Sequence, residues 1–149
     1  MRYKVNEINI SYKERITISS YPQINSSKDT AELLYETWDK NTLALQECFK
    51  VILLNNNNKV KGICQISQGG ITGTLVDIRI LFAIILKSLS VGIILTHNHP
   101  SGKLQASNCD KQITTKIKNA AALFDVKLLD HIIMLPNGSY YSFADEGLL

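Results

Sequence analysis

The sequence is poor in cysteine, has no long apolar run and nowhere concentrates charge of one sign. Its three cysteines, Cys48, Cys64 and Cys109, are odd in number, and their spacings fit neither a disulfide framework nor a CxxC pair. The opening MRYKVNEINI lacks the apolar segment of a secretory leader. Both absences point to a reducing, cytoplasmic setting. The longest apolar stretches, Ile80 to Leu86 and Val91 to Leu95, are too short to span a bilayer, so no membrane partner is expected. Sixteen Lys and Arg against 13 Asp and Glu leave a net charge of +3 with no basic run of five or six. Nucleic-acid binding usually shows clustering as well as excess, so the charge permits such contact without arguing for it. With 45% hydrophobic and 19% charged residues, the balance is that of a globular protein rather than a disordered one. The 149 residues suit one compact domain that can bury roughly two-thirds of its unfolded surface.

What is present is a mixed succession of α and β patterns without an internal repeat. Val5 to Tyr12 alternates loosely through Val5, Ile8 and Ile10 and suggests an N-terminal strand. Pro22 to Ser27 breaks the chain. Residues 1–26 are therefore taken as an N-terminal strand and turn, and residues 27–149 as the domain proper. Ser26 with Asp29 resembles a capping box, and Ala31, Leu34, Tyr35 and Trp38 have helical spacing, which predicts a helix from Lys28 to Trp38. Glu47 to Leu54 and Val60 to Ser67 form a hairpin around the asparagine turn 55–58. A glycine-rich stretch, Gln68 to Thr74, follows. Asp77 caps a helix through Ile80, Ile84 and Leu89 that Gly92 ends. Val91 to Thr96 reads as a strand buried on both faces. Ser107 starts a helix with Ile113, Ile117, Ala120 and Phe124 on one stripe. Val126 to Leu135, the turn Pro136-Asn137-Gly138 and Ser139 to Phe143 make a second hairpin. This order predicts a sheet flanked by at least two helices.

The chemistry centres on His97-Asn98-His99, delivered by the buried strand. Residues two apart on an extended chain project to one side, so the two imidazoles can converge on one ion, while Asn98 points the other way. Asp110 lies in the first turn of the next helix and can swing back toward the strand end. Two His and one carboxylate are a standard set for catalytic zinc, with a fourth position left for water. Each part also has a plainer reading. An HxH pair occurs by chance, and Ser107 with Asp110 makes a good helix N-terminus on its own. One turn can serve both purposes.

His97-x-His99, seven residues, Ser107, two residues and Asp110 together resemble the JAMM (MPN+) metalloprotease motif, H-x-H-x(7)-S-x(2)-D. The string His97-Asn98-His99-Pro100-Ser101-Gly102 is similar to the RadC-type branch of that family. So are Gly69-Gly70-Ile71-Thr72-Gly73-Thr74 before it, and Leu129-Asp130-His131-Ile132-Ile133 and Tyr141-Ser142-Phe143 after it. The resemblance runs from about Ser27 to the C-terminus. It implies an α/β (mixed α+β) fold, a cytidine-deaminase-like JAMM/MPN sheet flanked by helices. It also implies Zn2+ held by His97, His99 and Asp110, and an acting glutamate upstream on a strand. The matching position is Glu47, whose same-face neighbours are Phe49, Val51 and Leu53; a solvated strand end is the alternative.

On this resemblance zinc activates water, Glu47 takes its proton and hands it to the leaving amine, and Ser107 steadies the oxyanion. The implied activity is that of a zinc metallohydrolase, a peptidase or isopeptidase acting on a peptide or protein substrate. A DNA-repair association comes with the RadC-type branch, and a non-catalytic binding module in DNA metabolism is the alternative. Single-zinc sites suit amide hydrolysis, whereas phosphodiesters commonly call for two metals. Two features depart from the pattern. Ala106 stands where RadC-type chains usually have proline, with a looser loop as the expected effect, and nothing here resembles the helix-hairpin-helix segment they often carry. His131 reads as a satisfied structural histidine, with a role on the substrate side or behind the metal ligands as the alternative. Cys109 reads as ordinary packing, with coordination beside Asp110 as the alternative. Asp77 and Arg79 resemble a stretch of the RadC-type branch, and their plainer readings are a helix cap and a solvated or paired side chain.

Overall fold

The computed structural model describes residues 4–9, 11–70 and 75–149. Ile10 of the expected N-terminal strand, and Ile71, Thr72, Gly73 and Thr74 of the glycine-rich stretch, lie outside the described residues. The N-terminal strand does not form at residues 5–9 or 11–12. Val5 and Ile8 are three apart, which breaks a two-residue period, and they are 88% and 91% exposed. The segment joins the sheet at an isolated antiparallel bridge between Gln23 and Lys59, with Tyr21 and Ile24 buried beside it.

Five strands form one sheet: β1 (Cys48–Leu54), β2 (Val60–Gln68), β3 (Gly92–Asn98), β4 (Lys127–Met134) and β5 (Tyr140–Ser142), in the order β2-β1-β3-β4-β5. The pairings β1/β2, β1/β3 and β4/β5 are antiparallel, and β3/β4 is parallel. The parallel pair needs a crossover, which α4 (Asn108–Ala122) supplies. Helices cover both faces, so central β3 is buried at all seven positions, as its apolar run requires. On one face Phe49, Val51, Leu53, Ile93 and Leu95 pack against Leu81, Phe82 and Ile85 of α3 (Ile78–Lys87) and Ile117 and Ala121 of α4. On the other, Ile52, Leu54, Ile94, Ile132 and Met134 pack against Ala31 and Leu34 of α1 (Ser27–Thr37), with Trp38 beyond it.

Local signals explain most element ends. Ser26 caps α1 by accepting from the Asp29 N–H at 3.1 Å. A short α2 (Lys40–Leu43), which the sequence pattern did not reveal, is capped by Asp39. Asp77 caps α3 through the Arg79 N–H at 2.9 Å. The buried face of α3 is not the expected one: Ile80 is 51% and Leu89 72% exposed. Arg79 and Lys87 fall on one side of the helix and mark its solvent face, which Ile80 shares, so the buried side is the opposite one, with Leu81, Phe82 and Ile85. The helix also ends early, at Lys87, and the chain turns through Leu89 at φ 52°. Gly92 opens β3 instead of ending the helix. Ala106 is buried with Ile133, Leu135 and Phe143.

One irregularity sets up the site. Ile93 stands opposite Leu128, but Ile94 stands opposite Asp130, so β4 carries an extra residue, Leu129. Leu128 packs toward α3 and α4, and Leu129 toward α1. Strict alternation would send His131 to the α1 side with Leu129; the bulge returns it to the face that carries His97.

Candidate metal centre

His97 is the penultimate residue of β3, held between Phe49 of β1 and Ile133 of β4. His99 follows the strand end, where its N–H donates to the Met134 carbonyl at 2.9 Å. The two imidazoles converge as their spacing predicts: Nε2 to Nε2 is 3.0 Å. Asp110 swings back from the first turn of α4, with Oδ1 3.3 Å from His97 Nε2 and Oδ2 3.4 Å from His99 Nε2. Its carboxylate also accepts the Ser107 N–H at 2.8 Å, while Ser107 Oγ accepts the Asp110 N–H at 3.0 Å. One turn thus serves as a full capping box and as the carboxylate facing both histidines.

Glu47 stands just before β1. Its carbonyl accepts the Gly69 N–H at 2.8 Å, and its own N–H donates to Gly70 at 3.4 Å. Glu47 Oε1 lies 3.9 Å from His99 Nε2. Glu47, His97 and His99 offer ligand atoms that all lie within 4.8 Å of one another, so this cluster could hold a metal ion. Either carboxylate can therefore complete a two-histidine set, and Asp110 lies nearer to the imidazoles than Glu47 does.

The donor chemistry itself calls for a cation. His99 Nδ1 lies 2.8 Å from the Lys103 carbonyl, which can only accept, so the ring hydrogen sits on Nδ1. In neutral His99 the Nε2 lone pair then points at His97 Nε2 and at a carboxylate. Such a cluster of acceptors is stable only around a proton or a metal ion. Burial works to lower the His99 pKa, but the Asp110 bond, the Lys103 carbonyl and the charges of Asp110 and Glu47 raise it above its ordinary value. Burial likewise works to raise the Asp110 carboxyl, and the bonds from His97 and His99, with the Ser107 N–H, hold it well below the usual range.

Asn98 points away from this cluster, as strand alternation predicts, and grips the loop that carries Glu47. Its Oδ1 accepts the Cys48 N–H at 2.8 Å, and Nδ2 donates to the carbonyls of Leu43 at 2.8 Å and Gln46 at 3.0 Å. The bonds to Gln46 and Cys48 flank Glu47. Thr114, which sequence patterning passed over, occupies a buried position of α4 next to His131. The signal for it was its place one turn after Asp110. A cleft of about 1140 Å³ opens over the site, bordered by Glu47, His99, Ser107 and Asp110. Cys109 is exposed on its border rather than packed. Arg79 pairs with Asp77 at 3.0 Å on the surface. No helix among the described residues is long and apolar enough to cross a membrane.

A helix-flanked five-stranded mixed sheet with two histidines and a carboxylate at the end of its central strand is the architecture of a JAB/MPN domain. A family model for the RadC-like JAB domain matches residues 24–148, and the chain belongs to that family. It is 48% identical to a UPF0758 protein of Flavobacterium johnsoniae over 126 residues, covering 85% of this chain and 53% of the relative. A UPF0758 protein of Porphyromonas gingivalis is 42% identical over 104 residues, covering 70% of this chain and 46% of the relative. One from Chlorobaculum parvum is 38% identical over 99 residues, covering 66% and 44%. The chain spans about half the length of the curated relatives it matches.

Proposed function

We propose that the chain is a zinc-dependent hydrolase of the JAMM type that cuts a peptide or isopeptide bond, with His97, His99 and Asp110 holding the ion. One observation carries this reading: His97 Nε2 and His99 Nε2 stand 3.0 Å apart, and the Asp110 carboxylate faces both, with Oδ1 3.3 Å from the first and Oδ2 3.4 Å from the second. Ligands about 2.0–2.1 Å from a tetrahedral zinc stand roughly 3.3 Å apart. Glu47, at 3.9 Å from His99, stands off this edge length and on the cleft, which suits a proton carrier better than a ligand.

Zinc held there supplies the Lewis acidity that makes water a nucleophile near neutral pH. The Glu47 carboxylate accepts the proton that water loses, and the same oxygen returns it to the leaving nitrogen. Ser107 Oγ accepts its capping bond, which leaves its O–H to donate to the oxygen of the bond under attack. Asn98, through the residues on either side of Glu47, keeps that carboxylate in place.

The test is zinc content together with hydrolysis. Purified protein supplemented with zinc holds one ion per chain, Asp110→Asn loses it, and Glu47→Gln keeps it while losing cleavage of peptide or isopeptide substrates. Absence of zinc from the supplemented protein would overturn the reading. A non-catalytic module in DNA metabolism instead requires duplex affinity that falls steeply with salt, and needs no carboxylate facing the two imidazoles.

A further inference from the structure

His131 is fully buried, stacked on Phe143 with ring centroids 4.6 Å apart and edge-on to Phe49 at 5.7 Å. Both of its ring nitrogens are engaged. Nε2 lies 2.8 Å from His97 Nδ1, and Nδ1 lies 2.6 Å from Thr114 Oγ1. Thr114 Oγ1 in turn donates to the backbone carbonyl of Asp110 at 2.6 Å. These contacts form a chain whose direction can be read from its far end. A carbonyl only accepts, so the single hydroxyl hydrogen of Thr114 is committed to Asp110. The hydrogen in the short contact to His131 must therefore come from His131 Nδ1. Neutral His131 then has only a lone pair at Nε2 and takes the hydrogen of His97 Nδ1. His97 is left with its lone pair on Nε2, the atom that faces His99 and Asp110.

Resting on the metal site proposed above, we propose that His131 is a positioning residue which, with Thr114, holds His97 in the one tautomer able to bind the ion. The hydrogen-bond chain runs from the ring of one ligand to the backbone of another, so it also ties the orientation of His97 to the first turn of α4. A metal-bound histidine usually donates its other nitrogen to a carboxylate, a backbone carbonyl or a water. A second carboxylate at this depth would add negative charge behind the ligands, whereas an imidazole accepts the same hydrogen without charge. The bulge at Leu129, by turning His131 toward His97, serves this contact.

The experiment has two independent parts. Long-range 1H–15N spectra of the metal-free protein read the tautomers directly, whether or not the protein is a hydrolase. Hydrogen on Nδ1 of both His97 and His131 is expected, and a His97 that carries its hydrogen on Nε2 with Nδ1 bare overturns the proposal. Zinc affinity by chelator competition is the second part. Thr114→Val, close to isosteric, and His131→Phe, which suits the aromatic surroundings, are each expected to weaken zinc binding by about 10–100-fold. Thr114→Ser restores the hydroxyl and should come within about threefold of the parent. Unchanged affinity in Thr114→Val, or the same loss in Thr114→Ser, overturns it. If the parent protein binds no zinc, the metal reading fails by itself and the tautomer spectra still decide the role of His131.

Discussion

Asn98 offers the most direct test of how the fold carries the site. It is fully buried and makes three hydrogen bonds, to the Cys48 N–H and to the carbonyls of Leu43 and Gln46. Asn98→Ala leaves the Cys48 N–H and the Leu43 carbonyl buried without partners, and Gln46, which is only partly buried, can turn to water. At about 1–3 kcal/mol for each orphaned buried group, the loss is about 4 kcal/mol. For a domain near this size that corresponds to a fall in Tm of roughly 8–16 °C. Thermal and urea melts measure it. Asn98→Asp separates the two halves of the grip. It keeps the acceptor for Cys48 but sets a carboxylate against two carbonyls, so it should also melt low and improve as the pH is lowered. Both variants keep His97, His99 and Asp110, so zinc stoichiometry stays at one while hydrolysis drops with the loosened Glu47 loop. A Tm within about 3 °C of the parent for Asn98→Ala would refute the reasoning, since roughly 1 kcal/mol is less than one orphaned pair should cost.

Three further outcomes are expected. Zinc at about a hundred times its Kd should add about 2.7 kcal/mol of stability, so that chelation lowers the Tm by roughly 5–11 °C in scanning calorimetry. In the metal-free protein His99 holds its proton above the ordinary value of 6.5. Its contribution to stability is therefore full below 6.5 and is lost as pH rises through the folded value; zinc must displace that proton, so its affinity falls by about tenfold per pH unit on acidification through the same range, as competition titrations would show. Asp130 is buried and accepts the His131 N–H at 2.7 Å, the Ala144 N–H at 3.0 Å and the Ser142 O–H at 2.6 Å. Asp130→Ala should lose about 3–5 kcal/mol in urea unfolding, whereas Asp130→Asn, which keeps an oxygen for the two N–H groups, should lose less than half of that.

The convergence of His97, His99 and Asp110 was legible because each depends on local rules. Strand alternation puts two imidazoles on one side, and a capping box fixes where the next helix begins. Asp110 in particular is placed by the same bonds that start α4, so reading it as a cap and reading it as a ligand led to the same position. Glu47 was legible in part: its face followed from alternation in β1, but the Asn98 grip that places it joins residues about fifty positions apart and leaves no local pattern. The face of α3 was marked by Arg79 and Lys87 on its solvent side, opposite Leu81, Phe82 and Ile85, and the stripe through Ile80 and Leu89 missed it. His131 was hidden for a sharper reason. Its contact with His97 depends on one extra residue in β4, and a one-residue slip reverses the face of every side chain beyond it. Leu128 and Leu129 are adjacent and both apolar, so the sequence does not show that one of them is an extra residue, because hydrophobic pattern fixes register only where a strand has one wet face. A strand covered on both faces is thus where sequence reading is weakest, and β4 is such a strand over the stretch that carries the histidine behind the candidate metal ligand. Thr114 gives the remaining clue: a polar residue on the buried face of α4, one turn beyond Asp110, already implied a partner across the interface.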